Sequence, residues 1–140
     1  MALTKKVILS ADAVYAYIDR GSDKHQQAIA NFRYFSEQNY RVFIDTLSLN
    51  EAYNDVYKKM SQDLAKDFIR IISLSDMNII YPDEGETRAA MKALVNYRTL
   101  DLTFSQALLA VAASRRNITQ VVTFSSLPPL FGLQTFYLPI

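Results

Sequence analysis

Apolar positions along the chain follow two rhythms. Short, largely apolar runs rich in β-branched residues occupy Lys6 to Leu9, Arg41 to Ile44, Asn78 to Tyr81 and Gln120 to Phe124. Between them, apolar residues recur every three or four positions, the spacing of helices that bury one face. Ala13 to Ile18 reads as a short helix that Asp19-Arg20-Gly21-Ser22 interrupts. Asp23 is the expected N-cap of a second helix reaching about Gln38, with Ala28, Ile29, Phe32 and Phe35 inward. Asp45-Thr46 opens a third, whose stripe is Leu47, Leu49, Ala52, Tyr53, Val56 and Tyr57. Ser61, Leu64, Phe68, Ile71 and Ile72 mark a fourth. Pro82 stops the third strand, Asp83 begins a helix to about Tyr97, and Thr103 caps a strongly apolar one, Phe104 to Ser114. Gln134 to Leu138 supplies a fifth strand. Strands that alternate with helices imply a parallel sheet, because a parallel crossover needs a connection of that length. The expectation is a three-layer α/β/α fold around a parallel sheet of about five strands, with more helix than strand.

Composition narrows the picture. At 140 residues the chain fits one domain, 1–140, and no linker, repeat or low-complexity segment divides it. A formal charge of +1 gives no global argument for nucleic acid, so binding of that kind would need a local basic patch. With no cysteine, disulfides and thiolate metal sites are excluded. The basic start is followed by an apolar run too short for a signal peptide, and no stretch reaches the roughly 18 apolar residues of a membrane span. A cytoplasmic protein without membrane contact is expected. The sequence contains no Gly-rich phosphate loop and no Gly-x-Ser-x-Gly elbow, and its single histidine, His25, argues against a Ser-His-Asp triad.

Chemistry is expected where Val7-Ile8-Leu9 runs into Ser10-Ala11-Asp12, since open α/β sheets bind ligands outside the carboxyl ends of their strands. The same stretch, through Asp19, resembles the opening of PIN domains, most closely those of VapC-type toxin nucleases. His25 to Lys59 is similar to the family's next helix, strand and glutamate-bearing helix, with Glu51 at the glutamate. Tyr97-Arg98-Thr99-Leu100-Asp101-Leu102-Thr103-Phe104-Ser105-Gln106-Ala107-Leu108 resembles the family's Y…DLSFxDAL segment. Val121-Val122-Thr123-Phe124-Ser125 resembles its VxTFD strand end, and Phe131-Gly132-Leu133 also fits. The resemblance implies a parallel sheet flanked by helices, cleavage of RNA with Mg²⁺ or Mn²⁺, a homodimer and a small antitoxin partner.

The departures from that pattern bear on activity. Alignment on Tyr15-Ala16-Tyr17-Ile18-Asp19 puts Ser10 at the family's first acidic position, Gln106 at the third and Ser125 at the fourth, so only Glu51 keeps its carboxylate. A slip in the first turn would instead make Asp12 the first carboxylate. Neutral serine and glutamine oxygens are poor ligands for so hydrated an ion as Mg²⁺, and each lost carboxylate forgoes about 8 kcal/mol of bare attraction to a divalent ion at 4 Å and an effective dielectric of 20. Weak or absent cleavage is expected, with the protein acting by binding RNA, a protein partner or its own copy. The alternative is a ribonuclease in which Glu51 and Asp12 are catalytic and Glu51, Asp12 and Asp45 hold the metal. In the plainer reading, Asp12 and Asp45 cap the first and third helices.

Other groups have plainer readings too. His25 is expected to be solvated in the first turn of its helix. Arg115-Arg116 suit a helix C-terminus, with phosphate contact as the alternative. Lys5-Lys6 and Lys58-Lys59 read as solvated faces. Most aromatics sit at core spacing, which leaves Tyr15, Tyr53, Tyr57 and Tyr97 for a groove or dimer face.

Overall fold

In the computed structural model of the chain, residues 5–128 and 130–138 are described. The first four residues of the basic start lie outside them. The order of elements is β1 (Lys6–Leu9), α1 (Ala11–Ile18), α2 (His25–Glu37), β2 (Arg41–Asp45), α3 (Thr46–Lys59), α4 (Gln62–Leu74), β3 (Asn78–Ile80), α5 (Glu84–Asn96), α6 (Phe104–Arg115), β4 (Gln120–Val122) and β5 (Gln134–Thr135). The five strands form one sheet in the order β3-β2-β1-β4-β5, and every neighbouring pair is parallel. This is the architecture that the alternation of strand and helix predicts.

Side chains alternate across the sheet, so β1, β2 and β4 each feed two cores. Val7, Leu9, Ile44 and Val122 pack with Ala13 and Val14 of α1, Phe35 of α2, Ala52 of α3, and Phe68 and Ile72 of α4. Ile8, Phe43, Ile80 and Val121 face the other way, onto Leu109, Ala110, Ala112 and Ala113 of α6. α6 is buried on every side from Ala107 to Ala113, because α5 covers the face turned away from the sheet through Ala90. A helix apolar all round requires such enclosure. Glu86 of α5, 2% exposed, meets Arg116 at the end of α6 at 2.5 Å and locks that pairing. The Arg116 guanidinium also holds the Glu86 carboxyl below its usual range, against the opposing effect of burial.

Several boundaries move. The N-cap of α2 is Lys24 rather than Asp23, and that helix starts at His25. His25 is half-buried rather than free in solvent, with Nδ1 2.9 Å from the carbonyl of Ala16, which ties α2 to α1. β3, β4 and β5 are each shorter than their apolar runs. β4 stops at Val122 because Thr123 and Phe124 leave the ladder to meet a side chain of α1.

Candidate functional site

The winding of the chain reverses at β1. From there β2 and β3 build one side of the sheet, while β4 and β5 build the other. In such a sheet the crevice opens beyond the carboxyl ends of the two strands that flank the reversal, here β1 and β4. A cavity of about 210 Å³ lies there. Ser10 and Asp12 contribute from the turn into α1, and Ser48, Glu51 and Asp55 from one side of α3. Thr103, Ser105 and Gln106 come from the start of α6, and Thr123 and Ser125 from the segment that follows β4. Leu109, Val121 and Leu127 give it an apolar wall. Among the described residues, the lining holds three carboxylates and no lysine, arginine or histidine.

Asp12 is the most heavily bonded of these groups. Its carboxylate accepts from the hydroxyl of Ser10, from Thr123 Oγ1 at 3.2 Å, from the backbone N–H of Phe124 at 2.8 Å and from Ser125 Oγ at 2.8 Å. An ionised carboxylate offers about four lone-pair sites, so these four donors use its capacity. Ser10 has a single hydroxyl hydrogen, which lies between Asp12 and the carbonyl of Val122, 2.9 Å away. A place in the first turn of α1 adds the favourable end of the helix dipole. The helix-capping role expected for Asp12 does not occur. Ser10 occupies the N-cap position without a side-chain cap bond, and Asp12 reaches across to β4 instead.

Asp45 does cap α3. It accepts from the N–H of Ser48 at 3.0 Å and from Ser48 Oγ at 2.7 Å, with no exposed surface. Burial raises its pKa above the ordinary carboxylate value, and the bonds from Ser48 only partly offset that. It forms no part of the cavity wall, which Ser48 supplies in its place. Gln106 is equally committed. Its Oε1 accepts from the N–H of Thr103 at 2.9 Å, while Thr103 Oγ1 accepts from the N–H of Gln106, a capping box at the start of α6. Its Nε2 donates to the carbonyl of Ser126 at 3.3 Å.

Glu51 and Asp12 therefore share one cavity with Asp55, while Asp45 stands outside it. The only sequence signal for Asp55 is its place four residues after Glu51, a spacing that keeps a helix face. Thr103, Ser105 and Thr123 carry no sequence signal of a place in the site. Arg115 and Arg116 are engaged by Asp83 and Glu86 and do not line the cavity. Tyr15 sits with the ammonium of Lys59 5.0 Å from its ring centre, and burial and Asp19 push up its phenol. Tyr57 and Tyr97 are each 47% exposed.

The donor set does not suit a divalent cation. Mg²⁺ needs oxygen ligands with free lone pairs in near-octahedral order. Asp12 has spent its lone pairs on neutral donors, Asp45 is sealed beneath Ser48, and Gln106 is tied into a cap. Among the described residues, no three acidic or histidine side chains gather as a metal site would require.

No protein-family model and no curated protein matches the sequence. Solved structures do match the fold. One is VapC20 of Mycobacterium tuberculosis, described as a toxin that cleaves the sarcin–ricin loop. It is 13% identical with a TM-score of 0.75, over 85% of this chain and 89% of that one. Another is VapBC2 from Rickettsia felis, bound to a DNA fragment from its promoter. It is 18% identical with a TM-score of 0.69, over 94% of this chain and 97% of that one. The chain thus has the three-layer PIN fold of VapC structures. Among the described residues, no helix is long and apolar enough to cross a membrane.

Proposed function

We propose that this chain is a VapC-type PIN protein that has lost efficient metal-dependent RNA cleavage and works as a cytoplasmic binding protein. The observation that carries this reading is the state of Asp12. Serine hydroxyls at two positions where the resembling family has carboxylates, Ser10 and Ser125, donate to the Asp12 carboxylate instead of joining it as metal ligands. Hydroxyls and an N–H thus do for Asp12 what a cation would otherwise do. The fold likeness supports the lineage, and the VapBC2 neighbour makes an antitoxin-like partner a reasonable occupant of the protein's surface. A protein partner or a second copy suits the cavity better than RNA does, because a wall with three carboxylates and no cation repels phosphate.

One observation favours the alternative of a Mg²⁺- or Mn²⁺-dependent endoribonuclease: Glu51 and Asp12 do line the same cavity, with Asp55 beside them. The deciding assay incubates the chain with structured RNA and either ion, with Glu51→Gln as control. The proposal expects equal, background-level cleavage from both proteins. Cleavage that needs the metal and disappears in Glu51→Gln would refute it.

A further inference from the structure

We infer that residues 123–127 form a strap along one wall of the cavity, latched to α1 by Asp12 and to α6 by Gln106, and that closing the latch and binding a divalent cation at Asp12 exclude one another. The sheet does not hold this segment. β4 ends at Val122 and the ladder resumes only at Gln134, whose N–H donates to Thr119. Among the described residues from 123 to 128, no backbone–backbone hydrogen bond fixes the chain. Side chains do so instead: Asp12 gathers Thr123, the N–H of Phe124 and Ser125, Gln106 Nε2 holds the carbonyl of Ser126, and Thr123 Oγ1 accepts from the N–H of Ser125. A cation at Asp12 would have to displace those donors, and what displaces them frees the strap. Linkage makes the antagonism reciprocal: whatever factor closure takes from cation affinity, the cation takes from closure.

This goes beyond the loss of cleavage and is tested without RNA. The double variant Thr123→Val with Ser125→Ala removes two hydroxyl donors and leaves every carboxylate in place. Were those hydroxyls ligands, Mn²⁺ would bind the variant more weakly than the unmodified chain. The latch requires the reverse, a gain of at least about tenfold, which is about 1.4 kcal/mol. It also requires the amide order parameters of residues 124–127 to fall from about 0.85 toward 0.6. Ser125→Ala alone, at an exposed position, moves both readouts the same way by a smaller amount, and Ser125→Thr, which keeps the donor, moves neither. Unchanged or weaker Mn²⁺ binding in the variants, or a strap as rigid as before, overturns the inference. RNA cleavage by the unmodified chain would defeat the proposed function in a separate assay and leave this comparison standing.

Discussion

Asp45 offers a test of how the floor of the site is built. It is a fully buried carboxyl that caps α3, the helix carrying Glu51 and Asp55, and it accepts from both the N–H and the hydroxyl of Ser48. Asp45→Ala removes the cap, worth about 1 kcal/mol. It also strands the hydroxyl of Ser48, at about 1–3 kcal/mol for an unsatisfied buried group. A loss of about 2–4 kcal/mol is expected from these terms together. Asp45→Asn behaves differently, since an asparagine oxygen can still cap and asparagine is as good an N-cap residue as aspartate. It also cannot ionise. Because burial raises the folded-state pKa of Asp45, the native protein binds more protons than the unfolded chain from about pH 3.9 upward. This group's contribution is therefore full below the unfolded pKa and declines as pH rises through the folded one. Asn escapes that decline. Urea unfolding over a series of pH values from about pH 4 to pH 8 should show Asp45→Asn gaining on the unmodified chain as pH rises above the unfolded carboxylate value, and Asp45→Ala well below both. An Asn variant as unstable as the Ala variant, or a difference that ignores pH, would refute the reasoning.

The ion pair between α5 and α6 should respond with the opposite sign. Glu86 has a depressed pKa, so its contribution is present above the unfolded carboxylate value and disappears as pH falls through the folded one. Arg116→Ala leaves a buried carboxylate unpaired and should cost about 2–4 kcal/mol at pH 7 by denaturant unfolding, with the loss shrinking in acid. A loss under half a kilocalorie would show the pair to be incidental. Ser125→Asp puts a second carboxylate where a hydroxyl now donates to Asp12 at 2.8 Å. Bare repulsion of about 4 kcal/mol at an effective dielectric of 20 is cut by screening to about 1–2 kcal/mol, a few degrees in Tm. That variant should melt lower in EDTA and recover in Mg²⁺, whereas the unmodified chain should melt alike in both.

How much of this could be read from the chain depends on how far apart the interacting residues lie. The runs at Val7–Leu9 and Arg41–Ile44 predict strands because β-branched apolar residues suit a sheet covered on both faces. The caps of α3, α5 and α6 at Asp45, Asp83 and Thr103 are local, and all three occur. Asp12 was legible only as a residue at the right edge. Its partners Thr123, Phe124 and Ser125 lie 111 to 113 residues away and meet it only because β1 pairs with β4. Without that register, a carboxylate in the first turn of a helix reads as a cap or a ligand. Gln106 shows a nearer miss. Thr103-x-x-Gln106 carries a capping-box pattern, which comparison with an acidic family position hides. Asp23 precedes the helix by one residue too many to cap it, and a turn through Ser22 and Lys24 takes its place.

The central claim is that hydroxyls have taken the place of a cation at the carboxyl edge of the sheet. Crystals soaked in Mn²⁺ and measured at its absorption edge test this most directly. The account predicts no anomalous peak between Asp12 and Glu51, with Ser10, Thr123, Ser125 and the N–H of Phe124 still on the Asp12 carboxylate. A peak ligated by both carboxylates, with Ser125 turned away, would contradict it.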